Sequence, residues 1–207
     1  MTNLLVVIAS VRPGRVGESV ANWFTPIAEA DERFNVEVAD LKELNLPFMD
    51  EPNTPGRREY TKEHTKNWSA IVDRADTVVF VTPEYNATPA PALKNALDFL
   101  YHEWTYKPAS FVSYGGVWAG SRAVQALKPT LTQLGVMPVP EMVPIPGVSG
   151  LLDDNGNFQG DDRPDHRNRQ DQHQQNRHQA ALARSPDRSI ARSPRMARGP
   201  VWRWRHG

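Results

Sequence analysis

The stretch "LLVVIASVRPGRVGES" (residues 4–19) decides the fold. Its first six residues form a continuous apolar run, without the polar alternation of a half-exposed strand. Such a run reads as a strand buried on both faces. The ten residues after it hold two arginines, two glycines, a proline and two serines, and a helical pattern follows. A buried strand feeding a polar, glycine-containing loop and then a helix is the opening unit of a parallel α/β sheet.

Further apolar runs stand at 36–41, 77–82, 109–114 and 136–145, with helical patterns over 18–30, 57–74, 91–103 and 120–134. This alternation predicts an α/β fold: a doubly wound, five-stranded parallel sheet of order 2-1-3-4-5 with helices on both faces. Pro26 and Pro129 fall inside two of the helical patterns and predict a kink or an early stop. In this order the chain reverses beside strand 1, and ligands bind beyond the carboxyl ends of the strands at such a point. The loops after strands 1, 3 and 4 are therefore expected side by side.

The 207 residues contain no cysteine, so any redox activity requires a bound cofactor. No apolar run approaches the ~18 residues of a membrane helix, and no basic residue precedes the first run as in a secretory signal. A cytoplasmic protein without a membrane partner is expected. The formal net charge of zero averages two unlike parts. Residues 1–160 hold 13 Lys and Arg against 19 Asp and Glu, whereas residues 161–207 hold 11 Arg, no Lys and 5 Asp. The first part is read as the domain. The second is read as an arginine-rich tail too polar to bury a core, disordered or non-native. A shift of reading frame near residue 160 would account for arginine used to the exclusion of lysine. Such a tail, ending near "WRWR", could also bind nucleic acid; that reading is set behind the others, and no nucleic-acid partner is expected.

The loop after strand 1 combines Gly14 and Gly17 with Ser10, Ser19, Arg12 and Arg15. Free N–H groups at a helix start, hydroxyls and forked guanidinium donors together suit an anion, though an ordinary strand–helix turn would also be polar. Neither G-x-x-x-x-G-K-[ST] nor G-x-G-x-x-G occurs, which favours a terminal monophosphate over a nucleoside triphosphate or a dinucleotide. In "TPEYNATPAPALKNALDF" (82–99), prolines stiffen the loop so that the N–H groups of residues 84–87 can face a ligand. Asn86 as a plain turn residue is the simpler reading there. In "SYGGVWAGS" (113–121), Gly115 and Gly116 allow close approach of a flat ligand, or merely a tight turn.

Three motifs in order, S-x-R at 10–12, "PEYN" at 83–86 followed by "PALKNALDF" at 91–99, and the glycine pair 115–116, resemble the NAD(P)H-dependent FMN reductase family. That family has a flavodoxin-like fold and includes quinone- and chromate-reducing members. The resemblance covers residues 1 to about 150. It implies FMN as cofactor and NADPH or NADH as co-substrate. Ser10, Arg12, Arg15, Val16 and Gly17 would bind the phosphate. Pro83, Glu84, Tyr85 and Asn86 would line the isoalloxazine ring and ribityl chain, and Ser113, Tyr114, Gly115 and Gly116 would meet the pyrimidine end. Many relatives carry serine where Arg15 stands and asparagine where Gly17 stands.

The implied reaction passes a hydride from NAD(P)H to bound FMN and on to a quinone-like or other small acceptor in a ping-pong cycle. No side chain need act as general acid or base, so no catalytic residue is named, and no metal ligand. A homodimer or dimer of dimers, with the partner closing the pocket, is also implied. The alternative is a flavodoxin-like electron carrier or flavin sensor without turnover.

Of the tryptophans at 23, 68, 104 and 118, only Trp118 lies near the glycines and is expected to touch the ring. His64 and His102 are expected to be solvated. "DDNGN" (153–157) reads as a turn, and Asp40 as a ribose ligand only if a dinucleotide fold were present.

Overall fold

A computed structural model describes residues 1–160. The arginine-rich segment 161–207, with everything expected of it, lies outside the described residues. Strands β1 (Thr2–Ile8), β2 (Phe34–Asp40), β3 (Thr77–Pro83), β4 (Pro108–Tyr114) and β5 (Met137–Ile145) form one sheet of order β2-β1-β3-β4-β5, every pair parallel. The expected fold and strand order are those observed. Helices α1 (Gly17–Glu29), α2 (Leu41–Leu44), α3 (Glu63–Arg74), α4 (Pro91–Asp98) and α5 (Ser121–Gln133) connect them. None of the described helices is long and apolar enough to cross a membrane.

Side chains alternate across each strand, and the two sets meet different partners. Leu5, Val7, Val78, Phe80 and Phe111 pack with Trp68 of α3, Leu93 and Leu97 of α4, and Val124, Leu127 and Leu131 of α5. Leu4, Val6, Ile8, Val79, Val81 and Val112 face Val20 and Ala21 of α1, joined by Val148 and Phe158. The continuous apolar reading of the central strands thus reflects burial on both faces. β5 carries Pro138, Pro140 and Pro144, and it takes the sheet edge, where missing ladder donors are tolerated.

Two expected helices are shorter than their patterns. A 3-10 turn at Pro55–Arg57 ends in Arg58 at φ 56°, so α3 starts only at Glu63. α4 stops at Asp98 because Tyr101 leaves helical geometry and gives its N–H to the Glu103 carboxylate (3.3 Å). Conversely, Pro26 and Pro129 end neither α1 nor α5. Both prolines sit on the solvent side, as do Asn22 and Gln125, whose carbonyls each lack one helical donor and can take water instead.

Trp68 and Trp104 are fully buried, their indole N–H groups donating to Ala96 O (2.8 Å) and Leu97 O (3.2 Å). His102 is exposed as expected and donates to Gly56 O at 2.8 Å, whereas His64 is half-buried and pairs with Asp50 at 2.9 Å. Asp153 accepts the N–H groups of Asn155 and Asn157 (2.9 and 2.8 Å), the chemistry of a turn.

The polar knot under the sheet is Glu103, only 1% exposed. It accepts from Tyr60 (2.9 Å) and Ser69 (2.6 Å) and pairs with Arg58 Nε at 3.2 Å. Glu103→Ala leaves two hydroxyls and a guanidinium facing an apolar void, and it should cost about 3 kcal/mol in urea unfolding.

Glu51 caps the start of α3 by accepting the N–H groups of Thr61 (2.9 Å) and Lys62 (2.9 Å). Burial opposes its ionisation, but these bonds outweigh burial and hold the carboxyl at about 2 against an ordinary 4.5. Its contribution is therefore complete above pH 4.5 and fades as pH falls toward 2. Glu51→Gln should lower stability at neutral pH and flatten the stability–pH slope in that window, read from urea unfolding at stepped pH.

Candidate active site

Beyond the carboxyl ends of the central strands lies a cleft of about 410 Å3, within the usual range for small-molecule sites. The loop after β1 lines it with Ser10, Arg12, Arg15 and Val16, and the loop after β3 with Pro83, Glu84 and Tyr85. The loop after β4 adds Tyr114, Gly115 and Gly116. A fourth loop was not foreseen: Gly147, Val148 and Ser149 follow β5 and close the cleft. It is laced to the β4 loop by Gly147 N–H to Gly116 O (3.1 Å) and Val148 N–H to Gly115 O (3.2 Å). Pro146–Gly147, a turn pair ending the strand next to strand 4, was the available signal. Gly17, Asn86 and Ser113, expected at the site, do not line the cleft.

From Ser10 to Ser19 no backbone N–H donates to a partner among the described residues, Pro13 having none to give. Val16 stands at the N-cap of the thirteen-residue α1 without a side-chain cap. A row of open donors at a helix start is where an anion is stabilised. The Ser10 hydroxyl is buried and accepts from the Tyr114 hydroxyl at 3.1 Å. Burial pushes the Tyr114 phenol up to about 12, so it stays protonated and keeps donating.

Gly17 is needed for space: a Cβ there would fall 2.3 Å from Ser10 Oγ and 2.6 Å from the Tyr114 hydroxyl. It shapes the loop from behind rather than facing the cleft. Ser19, read as a second hydroxyl donor, instead accepts the Phe158 N–H (2.5 Å) and ties the chain's return to α1.

Arg12 is exposed and makes no ion pair among the described residues. Arg15 is the opposite case. Its Nη1 donates to Ser10 O (2.9 Å) and to Asp40, and its Nη2 to Asp40 and to Glu18 (3.0 Å). The side chain is 4% exposed, and its Nε is buried without a partner among the described residues. Asp40, at the end of β2, is therefore an arginine ligand here. Burial opposes its charge, and the Arg15 hydrogen bonds overcome this to lower its pKa.

The β3 loop departs from the expected row of free donors. Tyr85 and Thr88 exchange N–H···O bonds (2.9 and 3.0 Å) around Asn86 and Ala87 at φ 50° and 66°, a type I′ turn. Glu84 N–H goes to Tyr114 O (3.3 Å), so of residues 84–87 only Asn86 and Ala87 keep N–H groups open among the described residues. The side chain of Asn86 is outside the cleft lining because the residue builds the turn. Glu84's carboxylate holds the start of α5, accepting Arg122 Nε (2.7 Å) and N–H (3.2 Å).

Behind the β4 loop, Ser113 is fully buried and donates to Ala119 O (2.8 Å), which removes its hydroxyl from the cleft. Gly120 is the glycine this turn requires: at φ +79° its Cβ would meet Ser113 Cβ and Tyr114 N at 2.8 Å. Trp118 stacks against Arg122, 5.3 Å from guanidinium carbon to ring centroid, and does not line the cleft.

Fold and site together define a flavodoxin-like protein whose open helix-start N–H groups border a cleft at the carboxyl ends of the central strands. Residues 2–149 match the model of a family described as NADPH-dependent FMN reductase. An NAD(P)H-dependent FMN reductase of Schizosaccharomyces pombe is 44% identical over 124 residues, 59% of this chain and 62% of that protein. A quinone reductase of Pseudomonas putida is 30% identical over 171 residues, 78% of this chain and 87% of its own length. Among solved structures, a flavoenzyme NAD(P)H:(acceptor) oxidoreductase of Paracoccus denitrificans superposes with a TM-score of 0.62 at 20% identity, covering 88% of this chain and 96% of that one. The chain belongs to the NADPH-dependent FMN reductase family, enzymes that use FMN and a reduced nicotinamide nucleotide. The chain spans just under two thirds of the S. pombe protein's length.

Gly17→Ala should lower stability by about 1–3 kcal/mol, because the Ser10–Tyr114 contact must open to admit a methyl group. Thermal unfolding of the variant beside the parent protein measures it.

Proposed function

We propose that this protein is an FMN-dependent oxidoreductase moving electrons from NADPH or NADH to a quinone-like or other small acceptor by a ping-pong cycle. The observation that carries the reading is the run of N–H groups from Ser10 to Ser19 without partners among the described residues, with Arg12 exposed and the Arg15 Nε–H buried without a partner among those residues. Buried or helix-terminal donors left open in this number are a site for a multiply charged oxygen anion such as a monophosphate.

Phosphate at that cradle would leave a flavin ring between the β3 turn and Gly115–Gly116. The two open N–H groups of Asn86 and Ala87 would be available to ring heteroatoms there. Bound FMN would supply the chemistry, accepting a hydride from the nicotinamide and returning electrons to the acceptor. The chain's own part is to hold the phosphate, wall the ring and leave one side open for both substrates in turn. Of the side chains beside the ring's place, Glu84 is engaged by Arg122 and Tyr114 by Ser10. A homodimer or dimer of dimers in the cytoplasm belongs to this reading. Phe48, Val117 and Trp118, 87%, 90% and 58% exposed, are apolar surface that such an assembly would cover.

The test is an absorption spectrum after loading with FMN and removing the excess. A retained flavin spectrum that bleaches with NADPH or NADH and recovers with a quinone is expected. Retained flavin that no nicotinamide bleaches would mean a carrier or sensor, and no retained flavin would overturn the cofactor assignment.

A further inference from the structure

The Arg15–Asp40 pair poses a problem of charge. Asp40 lies on the cradle side of β2 and takes the two terminal nitrogens of Arg15, with Glu18 sharing one of them. A carboxylate beside a site for a dianion should weaken binding by simple Coulomb repulsion, and it cancels the charge of the arginine it holds. Yet the pair is closely built. The guanidinium is gripped at both terminal nitrogens, Ser10 O accepts a third bond (2.9 Å), and the side chain is 4% exposed. Every polar group of this arginine is engaged except Nε, which is buried without a partner among the described residues while the residue lines the cleft. A buried, unpartnered guanidinium N–H costs free energy unless something accepts from it.

We propose that Asp40 is a positioning residue for the cofactor phosphate: it clamps the outer edge of Arg15 so that the Nε–H is presented to the phosphate oxygen. The inference rests on the FMN reading above. The arginine then acts as a fixed, oriented donor and Arg12 as the mobile countercharge, a division that explains why two arginines three residues apart are held so differently. Lysine could not replace Arg15, since one ammonium cannot be gripped at two nitrogens and still present a third. Asp40 also accepts the Lys42 N–H (2.9 Å) at the start of α2, a role that asparagine retains.

The experiment measures dissociation constants of FMN and of riboflavin, which lacks the phosphate, by flavin fluorescence quenching in four proteins. These are the parent, Asp40→Asn, Arg15→Lys and the double variant. Positioning predicts that Asp40→Asn weakens FMN about tenfold or more, the worth of one hydrogen bond to a charged group. Riboflavin binding should stay within about twofold, and Arg15→Lys should cost as much as the double variant.

Equal losses for FMN and riboflavin would show that Asp40 is merely structural and overturn the proposal. Unchanged or tighter FMN binding in Asp40→Asn would also overturn it, because a bare countercharge effect would then be dominant. A parent protein that binds FMN no better than riboflavin would instead defeat the phosphate site itself, a failure distinct from the other two.

Discussion

Everything at the site depends on the parallel pairing of β1 with both β2 and β3. Leu4, Val6 and Ile8 are in register with Val36, Val38 and Asp40 on one side and with Thr77, Val79 and Val81 on the other. A right-handed crossover through α1 carries the chain to one side, and the next passes to the other, so the connections part above β1. The loops that leave β1 and β3 meet there, the first with a row of N–H groups open among the described residues and the second with its turn largely closed on itself. Burial of β1 on both faces fixes this arrangement, because a one-residue slip would exchange the partners of α1 for those of α3, α4 and α5.

The polar groups around the cleft divide into those that build it and those left open. Ser113, Glu84 and Tyr114 are spent on structure, through the Ala119 carbonyl, the start of α5 and the Ser10 hydroxyl, and the Asn86 backbone shapes the type I′ turn. Left without partners among the described residues are the N–H groups from Ser10 to Ser19, Arg12, the hydroxyls of Tyr85 and Ser149, two N–H groups of the β3 turn and the buried Nε of Arg15. The side chains make a rigid frame and the main chain supplies most of the binding groups. Such a frame suits a cofactor that brings its own reactivity and needs orientation from the protein.

The strands were legible because each is a compact apolar run closed by turn residues, and the strand order followed from that alternation. Helix ends were less so. Arg58 in a left-handed conformation and the inward Glu103 are set by contacts far along the chain, and local periodicity does not register them. Prolines 26 and 129 do not stop their helices, because the effect depends on which side of the helix loses a donor, and that side faces water.

The sequence by itself determined the sheet, its order, the three loops that converge and the kind of ligand they suit, since short-range pattern and residue chemistry carry these. Only the tertiary structure decided how each polar side chain is used. Arg15 and Asp40 are 25 residues apart in the chain, and Tyr114 reaches Ser10 across 104. A guanidinium looks equally free in any sequence, and whether it is a mobile countercharge or a clamped donor depends on the carboxylate that folding brings beside it.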